Sequence, residues 1–367
     1  MFLQSLQLKN FKNYTEGSAD FCEHINCLVG LNGSGKTNVL DAIHYLSLTK
    51  SHFNSVDAQN IRSKQEYFVV NGKINKENQL SDIHCSLKKG EKKLFTVDRQ
   101  EYDKLSQHMG KFPIVLIAPN DDDLIRDSNE TRRKFFDSII SQTDRAYLDA
   151  LIKYNHYLKQ RNALLKSFAD KGNVDNTLLE SYDLQIIEGA KFIALKRKDF
   201  VTNFQPSFEE NYSLIAEKKE TVLNEYKSKA LFNDFETQFR KSKDKDLITQ
   251  RTNVGVHRDE YNFEINGQPL KKFGSQGQQK SFLVSLKLAQ FAFIQKSLGL
   301  TPILLLDDIF DKLDDGRIQK LLEIITSNQF KQIFITDARE ERTMQLINKK
   351  YDPIRIFRIE NNQLEQI

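Results

Sequence analysis

The chain has 367 residues, 39% hydrophobic and 28% charged, with 54 Lys and Arg against 50 Asp and Glu for a formal charge of +4. That length allows one large domain or two to three ordinary ones with a sizeable core, and so mild a charge does not indicate nucleic acid, because non-specific DNA binding needs clustered cations. The three cysteines, Cys22, Cys27 and Cys85, form no Cys-x-x-Cys pair, which fits a reducing compartment and excludes a cysteine-built zinc site.

The N-terminus, Met1 to Gln7, lacks the basic and apolar regions of a signal peptide, and no apolar run approaches the roughly 20 residues of a spanning helix. A cytoplasmic protein with no membrane partner is expected. Phe2 to Leu8 alternates, and Ile25 to Val29 is a short apolar run ending at Gly30; both read as strands. From Asn38 the apolar residues Val39, Leu40, Ile43, Tyr45 and Leu46 take helical spacing. Between them lies Gly30-Leu31-Asn32-Gly33-Ser34-Gly35-Lys36-Thr37, which matches G-x-x-x-x-G-K-[ST] at every fixed position. Its glycines let backbone N–H groups turn inward around phosphate oxygens, and the helix that starts there adds its positive end. Lys36 is expected to neutralise the β- and γ-phosphates and Thr37 to ligate Mg²⁺. An apolar strand running in and an amphipathic helix running out separate this segment from a chance glycine-rich turn.

Residues 66–99 return to strand patterning, with hairpin signals at Asn71-Gly72 and Lys89-Gly90, and Pro113 to Ala118 is a further buried-strand candidate. Residues 123–250 then read as mainly helical. Leu151, Leu158 and Leu165 recur every seven residues, as do Leu179, Ile186, Ile193 and Phe200, and Lys171-Gly172-Asn173 separates the two series. Together they predict an antiparallel helical hairpin with short arms. After Arg251 the strand pattern resumes: Tyr261 to Ile265 alternates into Asn266-Gly267, and Ile303 to Leu306 and Gln332 to Ile335 are continuous apolar runs. The expected architecture is one α/β domain split in sequence by a helical insert, with parts at 1–122, 123–250 and 251–367.

Two further segments carry chemistry. Gly274-Ser275-Gln276-Gly277-Gln278-Gln279 opens a helical pattern and makes a second anion site or a simple helix cap. Asp307 ends the run Ile303 to Leu306, placed to hold Mg²⁺, and Asp308 follows, placed to orient or deprotonate a water. Asp311-Lys312-Leu313-Asp314 comes directly after.

A phosphate loop, then Ser-x-Gly-Gln, then a strand ending in two acids, then Leu-Asp, resembles the ABC ATPase family. The distance from Lys36 to Ser275 and the helical lobe between them resemble its SMC-like branch. Finer matches fall to the recombinational-repair members of that branch. They are Leu8-Lys9-Asn10-Phe11-Lys12-Asn13-Tyr14, the run-on of the loop into Asn38, Lys50-Ser51-His52-Phe53, Arg132-Arg133-Lys134-Phe135-Phe136-Asp137 and Gly255-Val256-His257-Arg258-Asp259-Glu260. Lys12 stands where those proteins usually carry Arg, Val256 where they have Pro, and Asn120 where an acid is usual.

The resemblance implies an ABC-type P-loop ATPase head that binds ATP and Mg²⁺ through residues 30–38. Ser275, Gly277 and Gln278 of one chain would complete the site of a second, so that ATP drives homodimerisation. It also implies a grip on DNA at junctions of single strand and duplex, cooperation with RecR- and RecO-type mediators in loading recombinase, support of the SOS response, and weak, DNA-stimulated hydrolysis. Candidate DNA contacts are Lys50, His52, Arg132, Arg133 and the lysines at 88, 89, 92 and 93, against solvated surface charge as the plainer interpretation. Two rival functions are an SMC-like ATPase accessory to a nuclease and an ABC transporter subunit. The first usually carries a far longer coiled coil, and the second keeps its motifs close together.

Overall fold

The computed structural model describes residues 1–172, 174–216, 220–309, 315–325, 329–341 and 353–367. The Asp311 to Asp314 segment and part of the Lys171-Gly172-Asn173 turn lie outside them. The chain forms two compact units: Met1–Asp121 and Leu283–Ile367, with a short stretch from Leu214, and Asp122–Ser213 with residues 220–282.

The first unit contains two six-stranded sheets. One is antiparallel, in the order Tyr14–Asp20, Phe2–Phe11, Tyr67–Lys76, Gln79–Lys88, Leu94–Val97, Gln100–Glu101. The other runs Gln363–Gln366, Ile354–Glu360, Ile25–Val29, Ile333–Asp337, Ile303–Leu306, Ile114–Ile117, and every pairing but the C-terminal hairpin is parallel. Its four central and edge runs, INCLV, IFITD, ILLL and IVLI, are buried at every position, as strands covered on both faces require. Leu3, Leu6 and Leu8 face one core although Leu3 and Leu6 break the alternation. A register shift between Leu3 and Ser5 absorbs the odd residue. Val39, Leu40, Ile43 and Leu46 of helix Lys36–Leu48 join them with Leu28, Leu305 and Phe334. Each of these side chains contributes about 1.5–3 kcal/mol by leaving water.

The hairpin expected at Asn71-Gly72 is not a turn. Both residues lie inside strand Tyr67–Lys76, and the chain reverses at Glu77 and Asn78, with φ of 52° and 65°, the paired positive angles of a tight hairpin. Gly72 is there for clearance: a Cβ on it would sit 2.3 Å from Leu46 Cδ1. The second signal does turn, between Lys88 and Leu94, with Gly90 at φ 81°.

The second unit is built on helices Arg145–Lys171 and Asn176–Ile215. Asp144 caps the first by accepting from the Tyr147 N–H, and Gly172 ends it at φ 69°, the left-handed stop that suits glycine. The helices run antiparallel, since Lys196 reaches Asp144 and Arg161 reaches Asp183. Leu179, Ile186, Ile193 and Phe200 are buried as expected. On the first helix Leu165 is buried as expected, but Leu151 and Leu158 are only partly so, and the buried seven-residue series is instead Tyr147, Tyr154, Arg161 and Phe168. Arg161 is tolerated there because it donates to Asp183, Asp246 and Thr252.

A three-stranded sheet, Gln268–Pro269, Glu260–Ile265 and Val222–Lys227, interrupts the expected helical lobe. Because Glu260–Ile265 pairs antiparallel with Val222–Lys227, this unit continues to Phe282, beyond the boundary at 251 that the change of pattern suggested. No helix among the described residues is long and apolar enough to cross a membrane.

Candidate nucleotide site

Strand Ile25–Val29 delivers Gly30 to the carboxyl end of the parallel sheet, where open α/β sheets bind ligands. The chain then turns through Gly30, Gly33 and Gly35, all at positive φ, into helix Lys36–Leu48. Only glycine fits at two of these positions. A Cβ on Gly30 would meet the Ile359 carbonyl oxygen at 2.4 Å, and one on Gly35, at φ 113°, would meet Asn13 Nδ2 at 2.6 Å. No acidic side chain occupies the first turn of the helix, so its positive end is left for an anion. Lys36 Nζ donates to the carbonyls of Gly30 at 2.7 Å and Leu31 at 3.0 Å. Ser34 Oγ is buried with no hydrogen-bond partner among the described residues, whereas Leu31, Asn32 and Gly33 are exposed.

The acidic pair meets this loop through two threonines. Thr37 Oγ1 lies 3.0 Å from both carboxylate oxygens of Asp307. Thr336 Oγ1 donates to Asp307 Oδ1 at 2.8 Å and accepts the Asp308 N–H at 2.8 Å. The parallel register Leu304–Leu306 against Ile333–Ile335 brings Thr336 to this point. Asp307 is buried, and burial pushes its carboxyl above the usual carboxylate range, opposed by the two hydroxyl bonds and by Lys36. Asp308 holds φ 50°, the left-handed region that aspartate tolerates better than most residues. A buried carboxylate beside a hydroxyl is an all-oxygen donor set suited to a hard divalent cation.

The turn after Phe11 braces the loop from outside. Tyr14 OH donates to the Gly35 carbonyl at 3.1 Å, Asn13 Nδ2 to the Ser34 carbonyl at 3.3 Å, and Asn38 Nδ2 to Asn13 Oδ1 at 2.7 Å. Asn13 also bonds Asn362. Lys12, where the repair ATPases usually carry Arg, is held by Asp41 at 2.6 Å, and Asp41 also accepts from Ser51 Oγ and the His52 N–H. Sequence reasoning assigned no role to Thr336, Asn13 or Asn362. The apolar run leading into Thr336 was recognisable, but the strand order that makes it a neighbour of Asp307 was not.

Ser275, Gly277 and Gln278 belong to the second unit. Ser275 precedes helix Gln276–Leu298; its Oγ accepts the Gln278 N–H at 3.2 Å, and Gln278 Oε1 accepts the Ser275 N–H at 2.7 Å. This is a reciprocal capping box. Gln278 Nε2 donates onward to Glu220 Oε1 at 2.7 Å. Ser275 is exposed, as is Phe273 just before it.

Several candidate DNA contacts have internal duties. Arg132 is buried and donates to the carbonyls of Leu124, Ile125 and Tyr261. Arg133 donates to the Asp259 carbonyl, and Lys93 is held by Asp57 at 2.6 Å with only 10% of its side chain exposed. His52 is pushed down to about 4 by burial, so it carries no charge near neutrality. Lys88 pairs with Glu91 on the surface. Lys50, Lys89 and Lys92 are exposed.

Residues 2–363 match the family described as RecF/RecN/SMC N terminal domain. The chain is 46% identical over 366 residues to the DNA replication and repair protein RecF of Cytophaga hutchinsonii, covering 100% of this chain and 97% of that one. It is also 46% identical to the protein of the same name from Flavobacterium johnsoniae, covering 98% and 100%. A solved structure of the recombination mediator protein RecF with ATP superposes with a TM-score of 0.89 at 28% identity, covering 100% of this chain and 97% of that one. The Smc head domain of Pyrococcus furiosus shares the fold, with a TM-score of 0.58 at 18% identity.

Proposed function

The chain belongs to the RecF group of the RecF/RecN/SMC N-terminal domain family, and from that premise we propose that it is an ATP-binding ATPase of DNA replication and repair whose nucleotide-bound dimer closes on DNA. The observation that carries the nucleotide site is the conjunction of Thr37 and Asp307 beneath a loop in which Gly30 and Gly35 admit no side chain. Gly30 to Asn38 hold the phosphates, with Lys36 turning from the loop carbonyls to the β- and γ-phosphates and the Ser34 hydroxyl acting as a donor. Thr37 and Asp307 hold Mg²⁺, which when bound neutralises phosphate charge. Asp308 orients the attacking water. Its short side chain gives slow turnover, so hydrolysis serves as a timer that releases the dimer rather than as a motor.

Each chain carries one phosphate loop and one Ser275 turn. Ser275, Gly277 and Gln278 of one chain complete the ATP site of the other, and ATP stabilises the dimer by binding more tightly across it than to one chain alone. The closed dimer grips junctions of duplex and single strand, works with RecR- and RecO-type mediators to load recombinase, and supports the SOS response; DNA accelerates hydrolysis. Lys50, Lys89 and Lys92 are candidate phosphate contacts by their exposure, and affinity through such contacts falls steeply with salt.

Sedimentation of the wild type and Lys36→Met, with and without ATP and gapped DNA, tests this directly. Dimerisation of the wild type alone, requiring ATP and strengthened by DNA, is the expected result. A monomer under every condition would remove the clamp and leave only nucleotide binding.

A further inference from the structure

The Ser275 turn is tied to the long helix of its own unit by a continuous chain of hydrogen bonds. Tyr212, 1% exposed in the last turns of helix Asn176–Ile215, donates its hydroxyl to Glu220 Oε2 at 2.5 Å. Glu220 Oε1 accepts Gln278 Nε2 at 2.7 Å. Gln278 Oε1 then accepts the Ser275 N–H at 2.7 Å, and its own N–H is bound by Ser275 Oγ at 3.2 Å.

The chemistry of these groups gives the chain a direction. A carboxylate only accepts, so Glu220 fixes which end of the Gln278 amide faces it and leaves the amide oxygen for the Ser275 N–H. A serine hydroxyl has one hydrogen and two lone pairs; with one lone pair bound to the Gln278 N–H, its hydrogen remains to donate to an anion. Without Glu220 the amide can turn over and offer NH₂ to the Ser275 N–H, donor against donor.

We propose that Glu220 is a positioning residue for the Ser275 turn, holding the serine hydroxyl and the first-turn N–H groups in the geometry that a second copy's ATP requires and linking that geometry to the long helix through Tyr212. This deepens the proposed function and rests on it. It predicts that a shift in the end of the long helix is felt at Ser275 first, so the lobe and the ATP interface respond together.

The test compares ATP-dependent dimerisation by sedimentation in the full-length wild type, Ser275→Ala, Glu220→Ala, Glu220→Gln and the Glu220→Ala/Ser275→Ala double variant. Binding of a fluorescent ATP analogue to the monomer and thermal melting are measured alongside. Glu220→Ala is expected to weaken the dimer about tenfold, the scale of one or two lost hydrogen bonds, while monomer ATP affinity stays unchanged. Glu220→Gln, whose amide oxygen still accepts from Gln278, restores part of the loss. The double variant is no worse than Ser275→Ala. Should Glu220→Ala fold poorly, Tyr212→Phe keeps the packing and removes one bond, and a smaller loss in the same direction is expected. Normal dimerisation of Glu220→Ala or Tyr212→Phe beside a defective Ser275→Ala overturns the proposal, as does an additive double variant. An unaffected Ser275→Ala overturns the shared-site reading itself, and this inference with it.

Discussion

The Thr37 hydroxyl sits 3.0 Å from both oxygens of the Asp307 carboxylate, across a sequence separation of 270 residues. Parallel pairing produces this meeting: Ile25–Val29 and Ile303–Leu306 flank Ile333–Asp337 and end at the same edge of the sheet. Asp307→Asn keeps an oxygen for both threonine hydroxyls and removes the charge. The variant is expected to lose at least about a hundredfold in ATP hydrolysis, the scale of losing one preorganised electrostatic contact. Its ATP affinity should no longer rise when Mg²⁺ is added. Calorimetric titration with and without Mg²⁺ checks this, and an equal Mg²⁺ gain in wild type and variant would contradict it.

The glycines of the loop separate two kinds of constraint. Gly33 at φ 81° has nothing within 4 Å of an added Cβ, whereas Gly30 would drive that atom to 2.4 Å from a backbone carbonyl. Gly33→Ala is therefore expected to cost about 1 kcal/mol, the backbone penalty alone. Gly30→Ala must displace Ile359 and the C-terminal hairpin, and should cost more than about 3 kcal/mol, in the range of severe overpacking. Urea unfolding of the two variants decides; equal losses would mean that Ile359 yields freely.

Arg132 illustrates a basic residue whose sequence context suggested a ligand and whose surroundings are entirely internal. All three of its nitrogens donate to backbone carbonyls, those of Leu124, Ile125 and Tyr261, and its guanidinium lies 4.6 Å from the Phe263 ring. Arg132→Ala is expected to destabilise the chain by about 3 kcal/mol, because three buried carbonyls lose a charged donor together. Lys89→Ala and Lys92→Ala, both on exposed residues, should change stability by less than about 0.5 kcal/mol. Thermal melts of the three variants test the contrast, and a fully stable Arg132→Ala would reverse the assignment.

What the sequence made legible was local. Uninterrupted apolar runs announced strands covered on both faces, and the glycine and lysine spacing of 30–37 announced the loop. What it hid depended on partners distant in the chain. Thr336 gains its role only once Ile333–Asp337 lies between the two strands that carry Gly30 and Asp307. Asn71-Gly72 carries a turn signature but serves as clearance for Leu46. Arg161 occupies a core position that patterning gives to leucine, because Asp183 and Asp246 are waiting for it. Val222–Lys227 looked continuous with the helical stretch before it, and only its pairing with Glu260–Ile265 identifies it as a strand.

Buried histidines add to the acid sensitivity of the fold, and His108 is the cleanest case. It is 0% exposed, bonds the Leu46 carbonyl through Nε2 at 2.7 Å, and packs edge-on against Phe95 at 4.6 Å. Burial pushes it from 6.5 down to about 4, so the folded protein keeps it neutral where the unfolded chain would take a proton. Its contribution to stability is therefore complete above about pH 6.5, is lost as pH falls from there toward 4, and levels off below 4. The full loss is about 3 kcal/mol at 1.36 kcal/mol per pH unit. His257, also pushed down to about 4 by burial, adds a second loss in the same window. His108→Gln removes the titration, and its stability should fall less steeply across this window than that of the wild type, whatever its stability at pH 7. Carboxylate titrations are common to both proteins and cancel in the difference. Urea unfolding at pH 7, 6 and 5 measures the two slopes; parallel curves would show that His108 is protonated alike in the folded and unfolded chain.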